Sequence, residues 1–214
     1  MAFDCSGATG ILSAAELRRA DRYHFAEDRQ RYIAGRATLK RVLGERTGIP
    51  PAEIVIEEGD WTKPRLAPQA GVPRVCFNVS HSGDYALVAL TEGVEVGVDI
   101  EQIRTDCPID DLARRYYSVR EHRYLKDLPA ARKLRDFYRL WTVKEAVLKC
   151  TGVGLSVPPA SVNVRLSPDL PPEIHLDSER GFAQQMSVRE LTLADGYVSA
   201  LAVESREQIS VNTI

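Results

Sequence analysis

Three carboxylates stand out in this chain for the chemistry they could perform together. Asp99 and Glu101 lie two residues apart in the run "VEVGVDIE". Side chains of a strand alternate between faces, so these two point the same way, about 7 Å apart along the backbone. Two like charges so placed repel unless water screens them or a cation holds them. Val94, Val96, Val98 and Ile100 fill the other face, and taken alone the pattern is that of an amphipathic strand with a solvated acidic face. Gly97 between the carboxylates and Glu95 lets a ligand approach the backbone.

The third carboxylate, Glu145, sits in a segment of helical spacing. Leu134, Phe137, Tyr138, Trp141 and Leu148 form one apolar stripe, and Glu145 falls near its middle. Leu140, Val143 and Val147 make the rear face apolar too, so the helix reads as buried all round. An ionised carboxylate there needs a positive partner. Lys149, four residues on, is one such partner, and a surface Glu–Lys pair is the ordinary alternative. Three carboxylates on rigid elements suit Mg²⁺, a hard cation that takes oxygen ligands and keeps places for water and phosphate.

The remaining polar residues resemble the other half of such a site. "NVSHSGD" places Asn78, Ser80, His81 and Ser82 around a hairpin tip, where ordinary turn hydrogen bonds are the plain alternative. There is no G-x-S-x-G elbow to make a serine hydrolase of these residues. Lys63 in "TKP" and Arg36 or Lys40 on an early helix could meet phosphate, although basic residues are common on surfaces. No G-x-x-x-x-G-K-[ST] loop is present, and "GVG" at 152–154 is too short for a nucleotide fingerprint.

The elements that must position these groups are legible. Residues 13–47 read as mostly helical, opened by the capping box "SAAE" with Ser13 and Glu16 and stopped by Gly48 and Pro50. "EIVIEE" is a short strand, and "GDWTKPRLAPQAGVP" reads as loop from its Gly and Pro content. "VCFNVSHSGDYALVAL" predicts a hairpin with "SHSGD" as its turn, and "VEVGVDIE" another strand. Helix follows around 109–117, "SVRE" gives a second capping box, and a long helix runs from about Ala130 to Thr151 with Gly152 and Gly154 as its stop. Strands return near 161–167, 183–193 and 196–204. The junction of an α+β layout falls near 102–108.

Composition bounds the function. With 214 residues, 44% apolar and 27% charged, the chain has the make-up of an ordinary soluble globular protein. Its net charge of −2 gives no general pull towards nucleic acid or anionic membrane. No run approaches the roughly eighteen apolar residues of a membrane span, and the N-terminus lacks the pattern of a signal peptide. Cys5, Cys76, Cys107 and Cys150 form no C-x-x-C pair, which points to thiols in a reducing cytoplasm.

In order along the chain, "TKPRL", "FNVSHSGDYALVAL", "VGVDIE" and "FYRLWTVKEAVLKCTGVGLS" resemble the 4′-phosphopantetheinyl transferases, specifically the surfactin-synthetase-activating (Sfp-like) branch. The resemblance implies an α+β fold of two similar α/β halves with pseudo-twofold symmetry, residues 1–104 and 105–214, with coenzyme A in the cleft between them. It implies a holo-[acyl-carrier-protein] synthase type of reaction, moving the phosphopantetheine arm of coenzyme A to a serine of an apo acyl or peptidyl carrier protein and releasing 3′,5′-ADP. Asp99, Glu101 and Glu145 then correspond to Mg²⁺ ligands, with Glu145 also the candidate general base, directly or through a metal-bound water, and Lys149 stabilises the departing phosphate. Ser80 and His81 correspond to coenzyme A contacts, His81 towards the 3′-phosphate, and Lys63 to a nucleotide-phosphate contact. Arg36 and Lys40 match more loosely as further coenzyme A contacts. The expected protein is a cytoplasmic monomer that meets its carrier along residues 110–128, where Arg114, Arg115, Arg120 and Arg123 interleave with Tyr116, Tyr117 and Tyr124. A solvated basic helix with core tyrosines is the alternative for that segment. The rivals for the whole chain are a Mg²⁺-dependent nucleotide pyrophosphate hydrolase and a non-catalytic coenzyme A or carrier-protein binding module.

Overall fold

Two capped helices open the chain in the computed structural model, which describes residues 7–58, 63–152, 156–167, 170–176, 185–205 and 209–211. Helix α1 spans Ala14–Ala20, and both hydrogen bonds of the Ser13/Glu16 capping box are made. Helix α2 spans Ala26–Thr47 and ends where Gly48 turns left-handed at φ 75°. Residues 13–47 are mostly helical, as expected, with a break at residues 21–25. Leu12, Ala20, Ile33 and Ala37 close a small core between the two helices. After a short 3₁₀ turn at Pro51–Glu53 comes strand β1 (Ile56–Glu58), which pairs with β2 (Pro64–Leu66). Strand β2 corrects the loop expected there. A proline is tolerated as the first residue of a strand, and Pro64 holds that position.

The hairpin is β3 (Val75–Ser82) and β4 (Tyr85–Glu92). Its turn is shorter than expected. Ser80, His81 and Ser82 remain in the strand, and only Gly83 and Asp84 turn the chain, Gly83 with φ 56°. Strand β5 (Val96–Gln102) follows, then α3 (Ile109–Tyr116), α4 (Val119–Asp127) and α5 (Ala130–Thr151). The second capping box, Ser118 with Glu121, is made in full, and Gly152 ends α5 at φ 73°. Gly154 lies outside the described residues. Four strands close the chain: β6 (Val162–Arg165), β7 (Glu173–Leu176), β8 (Ser187–Leu191) and β9 (Tyr197–Val203). Strand β7, four residues beside a proline-rich stretch, is one more than the sequence predicts.

Contacts divide the chain into two compact units, Met1–Glu57 with Arg65–Val75, and Glu58–Pro64 with Cys76–Ile214. The second unit is built on the antiparallel sheet β5–β9–β8, in which Val96 faces Val203 and Gln102 faces Tyr197. Strands from before and after residue 104 therefore share one sheet. From Val96 to Ile100 neither face of β5 is solvated, in contrast to the amphipathic strand of the isolated sequence pattern. Val96 and Val98 pack with Leu201, Val203 and the hairpin residues Cys76, Leu87 and Ala89. The Gly97–Asp99 face receives α5 instead. A methyl group at Gly97 would run into the carbonyl of Ala146 and the amide of Cys150, with the Cys150 Cα only 2.9 Å away. The missing side chain lets helix and strand backbones meet, and the small Ala200 and Ala202 continue the seat on β9.

Candidate active site

Docked this way, α5 turns one line of side chains towards the carboxylates of β5. Trp141, Glu145 and Lys149, spaced four residues apart, lie on one face of the helix and are partly open. With Val79, Ser80 and His81 from β3, Asp99 and Glu101 from β5, and Tyr116 from α3, they line a pocket of about 360 Å³. A larger groove of about 630 Å³ runs between β7 and β8, but it gathers no comparable set of acids.

The open face of α5 corrects the wheel drawn from sequence. Phe137, Tyr138 and Leu148 are buried, whereas Trp141 and Glu145 edge the pocket. A fully buried charge next to Glu145 on α5 is Lys144. Its ammonium lies 2.8 Å from Glu121 and donates to the carbonyls of Pro159 and Val162. Glu121 in turn accepts the amides of Ser118 and Val164, so one ion pair ties α4, α5 and β6 together.

Strand β3 reaches β5 through side chains. Asn78 accepts the amide of Val98 at 2.9 Å, Ser80 that of Ile100 at 3.4 Å, and Ser82 that of Gln102 at 3.0 Å. The two serines also donate to the acids, Ser80 to Asp99 at 2.8 Å and Ser82 to Glu101 at 2.9 Å. Lys149 places its ammonium 2.6 Å from Oδ1 of Asp99 and 3.0 Å from the Ser80 hydroxyl. His81, on the opposite side of β3 from these serines, is exposed at the pocket rim.

Burial and crowding raise all three carboxyl pKa values above their ordinary range. For Asp99 burial dominates, and Lys149, Ser80 and the Ile100 amide oppose it. For Glu101 burial is followed by the stabilising Ser82 bond and the repulsion of Asp99, with the Trp141 indole also bonding to it. For Glu145 burial is joined by repulsion from Asp99 and Glu101. Oδ2 of Asp99 and Oε1 of Glu145 are buried with no hydrogen-bond partner among the described residues. Unpartnered anionic oxygens and mutually repelling acids are the electrostatic complement of a hard cation. The donor set fits Mg²⁺ in its chemistry. As they stand, no three His, Cys, Asp or Glu side chains among the described residues converge as a metal cluster.

Three expected phosphate contacts have other partners. Lys63 is buried and gives its ammonium to Glu95 at 2.8 Å, to the Val96 carbonyl at 3.0 Å and to the Cys150 carbonyl at 3.2 Å. Those are the three donors an ammonium has. In the first unit Lys40, 1% exposed, lies 2.9 Å from Glu16 and donates to the Ile11 carbonyl. Arg36 lies 2.6 Å from the same carboxylate. These contacts brace α1 against α2.

On the 110–128 segment, Tyr117 is buried with its hydroxyl on the Phe137 carbonyl, and Tyr124 bonds to Asp136. Tyr116 meets Trp141 edge-on at 5.6 Å, and Arg115 lies over the Tyr116 ring at 5.2 Å. Arg114, Arg115, Arg120 and Arg123 remain exposed beside Val119, itself 78% exposed. The pocket positions of Tyr116 and Trp141 escape the sequence reading, whereas Asn78 and Ser82, named there as candidate polar residues, bond to β5 beside the pocket.

Comparison with known proteins adds a family. A family model described as the 4′-phosphopantetheinyl transferase superfamily matches residues 95–202, and one described as 4′-phosphopantetheinyl transferase, N-terminal, matches residues 3–93. The chain is 35% identical over 192 residues to the 4′-phosphopantetheinyl transferase HetI of Nostoc sp., covering 90% of this chain and 78% of that one. It is 36% identical over 160 residues to the 4′-phosphopantetheinyl transferase psf-1 of Bacillus pumilus, covering 74% and 66%. A holo-(acyl-carrier-protein) synthase from Bacillus anthracis, solved in complex with CoA (3′,5′-ADP), superposes with a TM-score of 0.44 at 20% identity, over 51% of this chain and 95% of that one.

Proposed function

We propose a function from one premise: the chain belongs to the 4′-phosphopantetheinyl transferase superfamily. It moves the phosphopantetheine arm of coenzyme A onto a serine of an apo acyl or peptidyl carrier protein. The observation that supports this reading is the single pocket holding Asp99, Glu101 and Glu145 opposite Lys149 and His81. The serine oxygen attacks the phosphorus that bears the arm, the bond to the bridging oxygen breaks, and 3′,5′-ADP leaves with the electron pair.

The proton of the serine must go to a base. Glu145 suits the role, because its Oε1 is unpartnered and burial raises its affinity for a proton. Lys149 is the cation facing the acids, and it offsets charge on the departing phosphate. His81 at the rim and Ser80 beside it orient coenzyme A. Asp99, Glu101 and Glu145 would hold Mg²⁺, which when bound neutralises the pyrophosphate and polarises the reacting phosphorus. Lys63, Lys40 and Arg36 are instead engaged by Glu95 and Glu16.

The family resemblance places both halves of the site in one chain, and a monomer is proposed on that ground. Cys76, Cys107 and Cys150 are free thiols, as suits the cytoplasm. No described helix is long and apolar enough to cross a membrane. The carrier meets Arg114, Arg115, Arg120, Arg123 and Val119 on the exposed side of α3 and α4. Incubation with coenzyme A, Mg²⁺ and an apo carrier protein, read by intact mass, tests the function. Addition of one phosphopantetheine arm is the expected result. Nucleotide hydrolysis without transfer, or binding without turnover, would overturn it.

A further inference from the structure

The hairpin that brings Ser80 and His81 to the pocket is held at its tip by a residue outside that pocket. The turn is only Gly83 and Asp84. The hydroxyl of Tyr197, the first residue of β9, accepts the Asp84 amide at 3.2 Å. Its ring meets Tyr85 edge-on at 4.8 Å. The same hydroxyl lies where a side chain at Gly83 would begin, and the Gln102 amide oxygen lies 2.8 Å from that point. Gln102 is the register partner of Tyr197, and its own amide donates to Ser82. The paired ends of β5 and β9 thus grip the tip from two sides.

This grip matters most for His81. Ser80 and Ser82 point at β5 and are tied there by Asp99, Lys149 and Glu101. His81 points the other way and takes its position from the backbone between Ser80 and the turn. We infer that Tyr197 is a positioning residue, setting the hairpin tip so that His81 faces coenzyme A. This inference rests on the coenzyme A role proposed for His81.

Steady-state kinetics with coenzyme A and carrier protein varied separately, on purified full-length variants, provides the test. Losing one ordered hydrogen bond and a ring contact is expected to raise the KM for coenzyme A about threefold to tenfold in Tyr197→Ala. The kcat should stay within about twofold, and the KM for carrier protein should not change. Tyr197→Phe, which keeps the ring, should fall between Tyr197→Ala and the unaltered protein. Gly83→Ala presses on the same contact from the other side and should reproduce the coenzyme A effect if Tyr197→Ala fails to fold. In a His81→Ala background, Tyr197→Ala should add no further increase. A coenzyme A KM unchanged in folded Tyr197→Ala while His81→Ala raises it would overturn the inference alone. So would full additivity of the two substitutions. An unchanged KM in His81→Ala would instead remove the coenzyme A role of His81, and the inference with it.

Discussion

The ammonium of Lys149 lies 2.6 Å from Oδ1 of Asp99, while Oδ2 of the same carboxylate has no partner among the described residues. One acid thus carries both an internal counter-ion and a vacant donor oxygen. If the proposed Mg²⁺ binds at that oxygen, Lys149 and the cation compete for Asp99, and phosphate is the ligand that would draw the lysine away.

That competition predicts opposite effects from one substitution. Lys149→Met removes a positive charge from among three acids, so Mg²⁺ titrated calorimetrically into the protein without coenzyme A should bind about tenfold more tightly. Transfer should meanwhile fall at least about 100-fold, because the phosphate loses its cation. Unchanged or weaker Mg²⁺ binding would count against the competition.

The repulsion among the acids has a stability consequence. Raised carboxyl pKa values mean that the folded state holds these protons more tightly than the unfolded chain, so stability declines as pH rises through them. At neutral pH without Mg²⁺, Glu145→Gln should therefore raise the melting temperature by about 2–4 °C, a gain on the order of 1 kcal/mol. Carrier modification should drop by about 100-fold or more in the same variant. A lower melting temperature would show that the glutamate is not under electrostatic strain.

Gly97→Ala should be costly in both respects. The added methyl meets helix backbone, which cannot turn aside as a side chain can. Overpacking of this kind costs about 1–3 kcal/mol and shifts α5 away from β5, carrying Glu145 and Lys149 with it. Urea unfolding should report that loss, and transfer should fall in protein that remains folded. A stable, fully active variant would contradict the close docking.

In the first unit, Glu16 supplies a pH dependence of the opposite sign. Burial raises its pKa, but the Ser13 amide, Lys40 and Arg36 more than reverse this and bring it down to about 2. Its contribution is present above the unfolded value near 4.5 and is lost as pH falls towards 2. With a discount for partial solvent screening it is on the order of 2 kcal/mol. Acid unfolding of Glu16→Gln should lack this component, and a variant that follows the unaltered protein between pH 5 and 2, within about that range of values, would refute it.

Charge reversal at Arg114 and Arg115 tests the carrier surface. Both are exposed, and Arg115 lies over Tyr116 at the pocket edge. The KM for carrier protein should rise about tenfold or more while that for coenzyme A is unchanged. Equal KM values would exclude the surface.

Much of the layout is legible because its signals are local. Capping boxes at Ser13 and Ser118 and left-handed glycines at 48 and 152 mark helix ends within a few residues. The two-residue period joins Asp99 to Glu101, and the four-residue period joins Glu145 to Lys149. The fates of the lysines are not legible in this way. Lys40, Lys63 and Lys144 resemble surface residues in sequence, yet each buries its stem and finds oxygen partners contributed from elsewhere in its unit. The pairing of Tyr116 with Trp141 depends equally on how α3 and α5 pack, which no local spacing encodes.

The side chains that β3 lends to β5 also have a consequence for association. Opposite its pairing with β9, β5 would offer a run of amides to any extended strand that came alongside. Asn78, Ser80 and Ser82 cap alternate amides there, at Val98, Ile100 and Gln102. These side-chain oxygens close that edge to strand addition, so a neighbouring molecule finds no free ladder beside Asp99 and Glu101. Protection against aggregation is shared by all three side chains, and two of them, Ser80 and Ser82, also hold the acids in place.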